Sequence, residues 1–155
     1  MEQVLTSTQI RQTIAEVFQQ NMPFHQLIGL KINHYTADSV ELSIQMKPEL
    51  VGNPIHGILH GGVTATILDV AGGMMVFAQV IENMEHITEQ TVTQRLQNLG
   101  TIDLRIDYLR PGRGQEFIAT ATVIRAGNKV AVARMELHNE QGEHIAFGTG
   151  TYLVG

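Results

Sequence analysis

The stretch LHGGVTATILD, residues 59–69, places a histidine and two glycines directly before an apolar segment. That segment is predicted to be a helix, and the first N–H groups of a helix lack internal acceptors and lie at the positive end of the helix dipole. Gly61 and Gly62 would let a ligand approach these groups, which can then stabilise an oxyanion. His60 either donates a hydrogen bond to the same ligand or is a loop histidine that bonds the backbone.

A single carboxylate, Asp69, interrupts the otherwise uncharged segment 61–81. A buried, unpaired carboxylate is costly, and no lysine or arginine lies within two helical turns along the chain to pair with it. We therefore predict that Asp69 acts as a nucleophile or a general base. The other residues of its helical stripe are all small, which indicates close approach of a ligand or of a second copy of the chain: Gly62, Ala65, Thr66, Gly72 and Gly73.

The sequence offers no conventional nucleophile for an acyl-enzyme. It contains no cysteine, and none of its few serines lies in a G-x-S-x-G turn. Acyl-transfer chemistry would therefore have to use a carboxylate, and Asp69 is the candidate.

The histidines do not form a convincing metal site. His56 and His60 have the four-residue spacing that binds zinc on a helix, but Gly57 lies between them and no third ligand follows nearby. We predict no metal and no cofactor. The remaining histidines are interpreted as surface or loop residues: His25, His34, His86, His138 and His144.

Composition narrows the class of protein. Of the 155 residues 43% are hydrophobic and 16% charged, so we expect a second copy to cover part of the surface. The net charge of −5, without a run of lysine or arginine, argues against nucleic-acid or membrane binding.

The apolar segment 63–81 is predicted to be a core helix, since it contains a carboxylate near its middle. Residues 1–12 lack the features of a signal peptide, and we expect a cytoplasmic location.

The hydrophobic pattern predicts one α+β domain, residues 1–155, in which an antiparallel sheet of about six strands curves around a long central helix. In the strand TIDLRIDYL, alternation places Thr101 on one face and Ile102 and Leu104 on the other. The predicted elements are an N-terminal helical segment 1–22 with a capping box at Thr6 and Gln9, strands within 29–35 and 39–46, an irregular loop 47–57, the central helix 61–81, a short extra helix within 82–100, and four final strands.

Four motifs together resemble a known family. LVGN, ILHGGV, GTIDLRIDYLRPGRG and RAGNKVAVARMELHNE are similar to the PaaI-like branch of the hotdog-fold thioesterases, and above all to its bacterial acyl-CoA thioesterases. The resemblance extends from Pro23 to Tyr152. It implies a hotdog fold, homodimers that join their sheets, and often homotetramers. The active site would lie at the dimer interface.

The same resemblance assigns roles to residues. It implies that Asp69 is the nucleophile or general base and that the N–H of Gly61 is the oxyanion donor. Asn53 would position the water or the thioester, and Thr101 would stand where the family often has a serine that orients the water. Further substrate contacts are expected from Gly62, Thr66 and Asp103.

Two late loops, YLRPGRG and RAGNK, contain basic residues that can bind the phosphates of coenzyme A. The resemblance places coenzyme A contacts near these turns. The residues expected to make them are Arg110, Arg113, Arg125, Gly127 and Lys129. The acyl chain is expected to lie along Met74, Met75, Phe77 and the end of the central helix, residues 80–83.

The predicted function is hydrolysis of medium- to long-chain acyl-CoA to the free fatty acid and CoA. Two alternatives from other classes remain. A non-catalytic hotdog module would bind acyl-CoA without turnover. An enoyl-CoA hydratase or dehydratase would use His60 and Asp69 as its acid and base, and an assay with an enoyl-CoA would reveal it.

Overall fold

The structure, a computed structural model, describes residues 4–155; the first three residues of the predicted segment 1–22 lie outside the described residues. The helices are α1 (Ser7–Glu16), α2 (Pro23–Ile28), α3 (Gly61–Glu82) and α4 (Glu89–Asn98), and the strands are β1 (Lys31–Tyr35), β2 (Val40–Gln45), β3 (Val51–Asn53), β4 (Ile58–Leu59), β5 (Gly100–Tyr108), β6 (Glu116–Ala126), β7 (Val130–Asn139) and β8 (His144–Leu153). A π-helical turn, Val17–Asn21, follows α1, and a 3-10 turn, Pro48–Leu50, precedes β3.

Six strands form one antiparallel sheet in the order β1-β2-β6-β7-β8-β5, while β3 and β4 form a separate hairpin. The long helix α3 packs against this sheet, and Leu68 and Met74 of the helix are fully buried together with Phe117 and Tyr152 of the sheet. Burying a side chain of this size contributes about 1.5–3 kcal/mol. The predicted α+β class and the hotdog fold, a curved sheet around one long helix, are confirmed.

The N-terminal region contains one more helix than predicted. The capping box of Thr6 and Gln9 starts α1 as expected. Pro23 does not simply end this helical segment; it occupies the first turn of α2, where a missing N–H costs nothing. The loop 47–57, predicted to be irregular, includes the hairpin of β3 and β4.

A β-bulge reverses the predicted orientation of Thr101. The pairing of β5 with β8 shifts between Thr101 and Asp103, so that Thr101 lies opposite Tyr152 and Leu104 opposite Gly150. Both partners face α3, so Thr101 and Leu104 share that face, and the prediction from strict alternation was wrong here. Ile102, predicted to share a face with Leu104, instead lies at the bulge and is 56% exposed.

By length and composition alone α3 could cross a membrane, but 61% of its most apolar window is buried inside the protein. This burial fits the interpretation of residues 63–81 as a core helix.

Candidate active site

Asp69 and Thr101 form the first part of the site. The Thr101 hydroxyl donates a 2.9 Å hydrogen bond to Oδ1 of Asp69, and the Asp69 side chain is half-exposed on α3. Within residues 4–155 Asp69 forms no ion pair, and its Oδ2 accepts no hydrogen bond. One hydrogen bond therefore orients the carboxylate, and no cationic side chain among the described residues pairs with it.

Tyr152 forms a hydrogen bond with the backbone of Asp69. Its hydroxyl donates to the backbone carbonyl of Asp69 at 3.1 Å. Burial, and then the charge of Asp69, raises the pKa of Tyr152, so the hydroxyl remains a donor at neutral pH. A Cβ at Gly72 would overlap the Tyr152 hydroxyl. Part of the small-residue stripe is thus explained within the chain, because Gly72 makes room for Tyr152.

A crevice of about 320 Å³ opens beside Asp69. Its walls come from the end of the first helical segment, α2, α3, α4 and the start of β5, and they are mostly apolar: Phe18, Met22, His25, Asp69, Val70, Gly73, Leu96, Leu99, Gly100, Thr101 and Tyr152. The expected lining by Met74, Met75 and Phe77 was wrong, while Val80 and Asn83 line a separate cavity of about 270 Å³. The side chains of Met74, Met75 and Phe77 are at most 1% exposed, because they point into the core.

The start of α3 forms the second part of the site. His60 is the N-cap, and its Nδ1 accepts a 2.8 Å hydrogen bond from the Gly62 N–H. The next two N–H groups, of Val63 and Thr64, bond to the His60 carbonyl. The Gly61 N–H has no acceptor among the described residues. It is the one free donor of this helical turn, whereas the Gly62 N–H is already used.

Asn53 lies beside this turn because of the hairpin of β3 and β4. The hairpin brings Gly52 so close to His60 that an added Cβ would lie 2.6 Å from the His60 Cα. The Asn53 Oδ1 accepts from the N–H of Ile55 at 3.0 Å, and its carbonyl accepts from the N–H of Gly57. The Asn53 amide group therefore has a fixed direction and can still donate.

Tyr108 lies beside Gly61 at the start of α3, and the sequence predicted no role in the site for it. Its hydroxyl donates to the Gly61 carbonyl at 2.6 Å. A second crevice, of about 390 Å³, runs from Gly61 along Tyr108 to Arg110 and Gly112. Tyrosine at the end of an exposed strand carries no sequence signal for this contact, which depends on the docking of β5 beside α3.

The two parts of the site are well separated within one chain. Asp69 follows Gly61 by eight positions on the same helix, a distance of about 12 Å along its axis. A nucleophile and an oxyanion donor must both lie within about 3 Å of one reacting group. The same separation applies to the acid and base that the hydratase alternative needs, His60 and Asp69. One chain alone cannot bring either pair together.

The predicted coenzyme A residues also divide into two groups. Arg110 and Arg113 are exposed in the loop after β5, next to the start of α3, and Arg110 donates to the His144 carbonyl at 2.9 Å. Arg125 and Lys129 are exposed near the turn between β6 and β7, together with Gly127. Sheet register places these groups at opposite ends of strands about 30 Å long.

The remaining predicted contacts lie apart from each other. The Thr66 hydroxyl donates to the Gly62 carbonyl at 2.9 Å, one turn after the helix start. Asp103 is exposed and pairs with Thr151 on the sheet face away from α3, because the bulge precedes it. Only Thr66 lies on the helix between the two parts of the site.

The structure corrects the sequence interpretation of one histidine and brings two others together. His25 is 5% exposed and lines the Asp69 crevice, so it is not a surface residue. His138 and His144 stack with ring centroids 4.5 Å apart on the outer sheet face, where they lie close to Glu136. The two rings are nearly parallel, at 10°, so the lone pairs of their nitrogen atoms do not point to one common position, as the binding of a metal ion would require.

Comparisons with known proteins agree with this architecture. A model of the thioesterase superfamily matches residues 56–146, a range that includes His60, Gly61, Asp69 and Thr101. The chain belongs to the thioesterase superfamily. The family and fold expected from the sequence are thereby confirmed.

Individual relatives extend the match to the whole chain. The Medium/long-chain acyl-CoA thioesterase YigI of Escherichia coli K12 is 48% identical over 155 residues, 100% of both chains. A Shewanella oneidensis crystal structure, described as related to the thioesterase superfamily, is 60% identical with a TM-score of 0.93, covering 96% of this chain and 97% of that chain. The BH2602 protein of Bacillus halodurans, crystallised with CoA, is 26% identical with a TM-score of 0.71, covering 96% of this chain and 89% of that chain.

Proposed function

We propose that this protein hydrolyses medium- to long-chain acyl-CoA to the free fatty acid and CoA, with Asp69 as the reacting carboxylate. The observation that carries the proposal is the oriented, unneutralised carboxylate on the same helix whose first N–H, at Gly61, is free. The E. coli relative is named for this activity. Fold alone would not support a substrate, but the site chemistry fits a thioester carbonyl.

Two copies of the chain complete the site in this proposal. Gly61 and Asp69 each lie four residues from Ala65. When two α3 helices lie antiparallel about a two-fold axis at Ala65, the Asp69 of one copy faces the Gly61 of the other. Ala65 is small and half-buried, so it permits the close approach that this arrangement requires. Each dimer then contains two identical sites.

The free edge of β5 supports the same dimer. This nine-residue strand pairs on one side only, with β8, and its outer edge is open in the described chain. Soluble proteins rarely leave a long strand edge unpaired, since it invites association. Pairing of β5 with its symmetry-related copy would continue the sheet across the dimer. Two such dimers packing together would give the homotetramer expected from the family resemblance.

The reaction follows from the two parts. The Gly61 N–H and the Asn53 amide hold the thioester oxygen, on which negative charge develops. The free Oδ2 of Asp69 attacks the carbonyl carbon directly or takes a proton from an attacking water. In either route the C–S bond breaks, the CoA sulfur receives a proton, and water supplies the hydroxyl of the released acid. Thr101 keeps the carboxylate turned towards the crevice.

Substrate placement uses the two crevices. The apolar crevice beside Asp69 accepts the acyl chain, and the crevice between Gly61 and Arg110 leads towards the CoA side. Arg110 and Arg113 supply cations close to this exit. Arg125 and Lys129 lie too far away in the same chain, so in this proposal they contact CoA from another copy. The BH2602 relative, crystallised with CoA, supports a CoA substrate.

The first test is thioesterase activity, followed as thiol release from decanoyl-CoA. We expect Asp69→Asn to lose at least a hundredfold in kcat with an unchanged circular dichroism spectrum. Turnover equal to that of the wild type would contradict the role of Asp69. Binding of decanoyl-CoA by the wild type without any thiol release would favour the non-catalytic alternative.

A mixed dimer tests the shared site. Asp69→Asn and Asn53→Ala chains with different tags are co-expressed, and mixed dimers are isolated by both tags. If each site uses Asp69 of one copy and Asn53 of the other, both changes fall in one site and the other is intact. We then expect about half the wild-type activity from two inactive parents. A mixed dimer as inactive as its parents would contradict the shared site.

A further inference from the structure

His25 is a buried polar side chain in the wall of the apolar crevice. It is 5% exposed, lies in the short helix α2, and lines the same cavity as Asp69 and Thr101. Its ring packs at 5.6 Å from the ring of Phe18. Nothing in the proposed hydrolysis uses this imidazole, so its polar atoms need a separate explanation.

One nitrogen of His25 is committed to the fold. Nδ1 lies 2.7 Å from the backbone carbonyl of Phe18, at the π-helical turn that ends the first helical segment. A carbonyl oxygen can only accept, so Nδ1 carries the proton. This bond joins α2 to the preceding turn and determines the orientation of the ring.

The other nitrogen is available to a ligand. With Nδ1 protonated, Nε2 of the neutral ring is an acceptor, and it has no partner among residues 4–155. Nε2 of His25 is not fully enclosed by the protein, because the one fully enclosed and unpartnered side-chain nitrogen or oxygen among the described residues belongs to His144. Nε2 of His25 is therefore open, and the space beside it is the crevice.

We propose that His25 determines acyl-chain specificity, with Nε2 accepting a hydrogen bond from a hydroxyl group on the acyl chain. This inference rests on the proposed function, since it assumes that the acyl chain occupies the crevice. A saturated chain there would leave Nε2 desolvated and unpaired, whereas a hydroxyacyl chain would satisfy it. Sites built around a hydrogen bond to substrate discriminate strongly against the analogue that lacks it.

Two substitutions separate the two nitrogens of His25. In His25→Asn the amide nitrogen can take the position of Nδ1 and keep the bond to Phe18, but nothing replaces Nε2. In His25→Gln the longer side chain places an amide oxygen near the position of Nε2. The asparagine variant therefore removes the acceptor and keeps the helix contact, and the glutamine variant restores the acceptor.

The experiment compares decanoyl-CoA with hydroxydecanoyl-CoA isomers whose hydroxyl group moves stepwise along the chain from the third carbon. For at least one isomer we expect kcat/KM of the wild type to exceed that for decanoyl-CoA. The ratio should fall about tenfold in His25→Asn and recover in His25→Gln. Thermal unfolding of all three proteins verifies folding.

Equal ratios in the wild type and His25→Asn for every isomer would overturn the inference, as would a wild type that never favours a hydroxylated chain. If His25→Asn does not fold, His25→Leu, which also lacks an acceptor at this position, takes its place in the comparison with the wild type and His25→Gln. Wild-type turnover of decanoyl-CoA with unaltered ratios would refute the role of His25 alone. Absence of turnover on every thioester would refute the proposed function itself.

Discussion

The Thr101 hydroxyl donates a 2.9 Å hydrogen bond to Asp69 Oδ1 across 32 residues of sequence, from the edge strand β5 to the central helix. The bond is possible because a β-bulge turns Thr101 towards α3. It occupies one oxygen of the carboxylate and leaves the other for chemistry. The candidate site therefore depends on a local irregularity of the sheet.

The Thr101–Asp69 bond predicts different effects for two substitutions. Thr101→Val removes the donor at nearly constant volume, and we expect kcat to fall about tenfold to a hundredfold, the value of a hydrogen bond to a charged group. Thr101→Ser keeps the hydroxyl and should keep most of the activity. Thiol release from decanoyl-CoA measures both variants. Wild-type kcat in the valine variant would show that the bond has no part in catalysis.

The free N–H of Gly61 predicts a contrast between alanine and proline at this position. Proline is accommodated at the first position of a helix but has no N–H, and the preceding His60, at φ −62° and ψ 132°, already has a backbone suited to it. We expect Gly61→Pro to lose about 10²–10³ in kcat, the usual effect of removing an oxyanion donor.

Gly61→Ala is the matched control, because its Cβ would contact Tyr108 at an ordinary 3.4 Å and its N–H remains. We expect it to keep activity within a few-fold of the wild type. Equal loss of kcat in the alanine and proline variants would attribute the effect to crowding and not to the missing donor.

Gly72→Ala is expected to cause a packing defect that a second substitution, Tyr152→Phe, relieves. A Cβ in Gly72→Ala would overlap the Tyr152 hydroxyl and lie 3.0 Å from Met135 Sδ, so we expect about 1–3 kcal/mol of destabilisation. Tyr152→Phe removes the overlapping atom, so the two changes should cost less together than the sum of their separate costs. Urea unfolding at one fixed protein concentration measures this coupling. Strict additivity would contradict the proposed overlap.

The Glu140 carboxylate is expected to stabilise the folded protein at neutral pH and to lose this effect at acid pH. Hydrogen bonds from its own backbone N–H and from those of Gln115 and Glu116 hold the pKa of Glu140 below its ordinary value. A lowered folded-state pKa stabilises the protein above the ordinary glutamate range, and this stabilisation disappears as the pH falls through the folded-state pKa. Wild type should therefore melt above Glu140→Gln at pH 7, with a difference that vanishes at strongly acid pH. A constant difference would exclude this carboxylate as its cause.

Local patterns were sufficient for much of the fold and for the chemical groups of the site. The capping box at Thr6 and Gln9 and the start of α3 at Gly61 both depend on neighbours along the chain, and both were predicted correctly. Asp69 stood out for the same reason, as a charge in an apolar helix. The missed helix α2 and the bulge after Thr101 differ, since α2 is held to the preceding turn by the His25 ring and the bulge depends on the pairing of β5 with the distant strand β8.

The sequence by itself determined which groups are available: a free helix N–H at Gly61, a carboxylate at Asp69 and no cysteine. Only the tertiary structure decided how they are arranged, because distances between strands and helices depend on packing and not on spacing along the chain. Folding placed Thr101 on the carboxylate, Tyr108 on the oxyanion turn and His25 inside the crevice. It also placed the two parts of the site about 12 Å apart on one helix, a separation that a second copy of the chain can close.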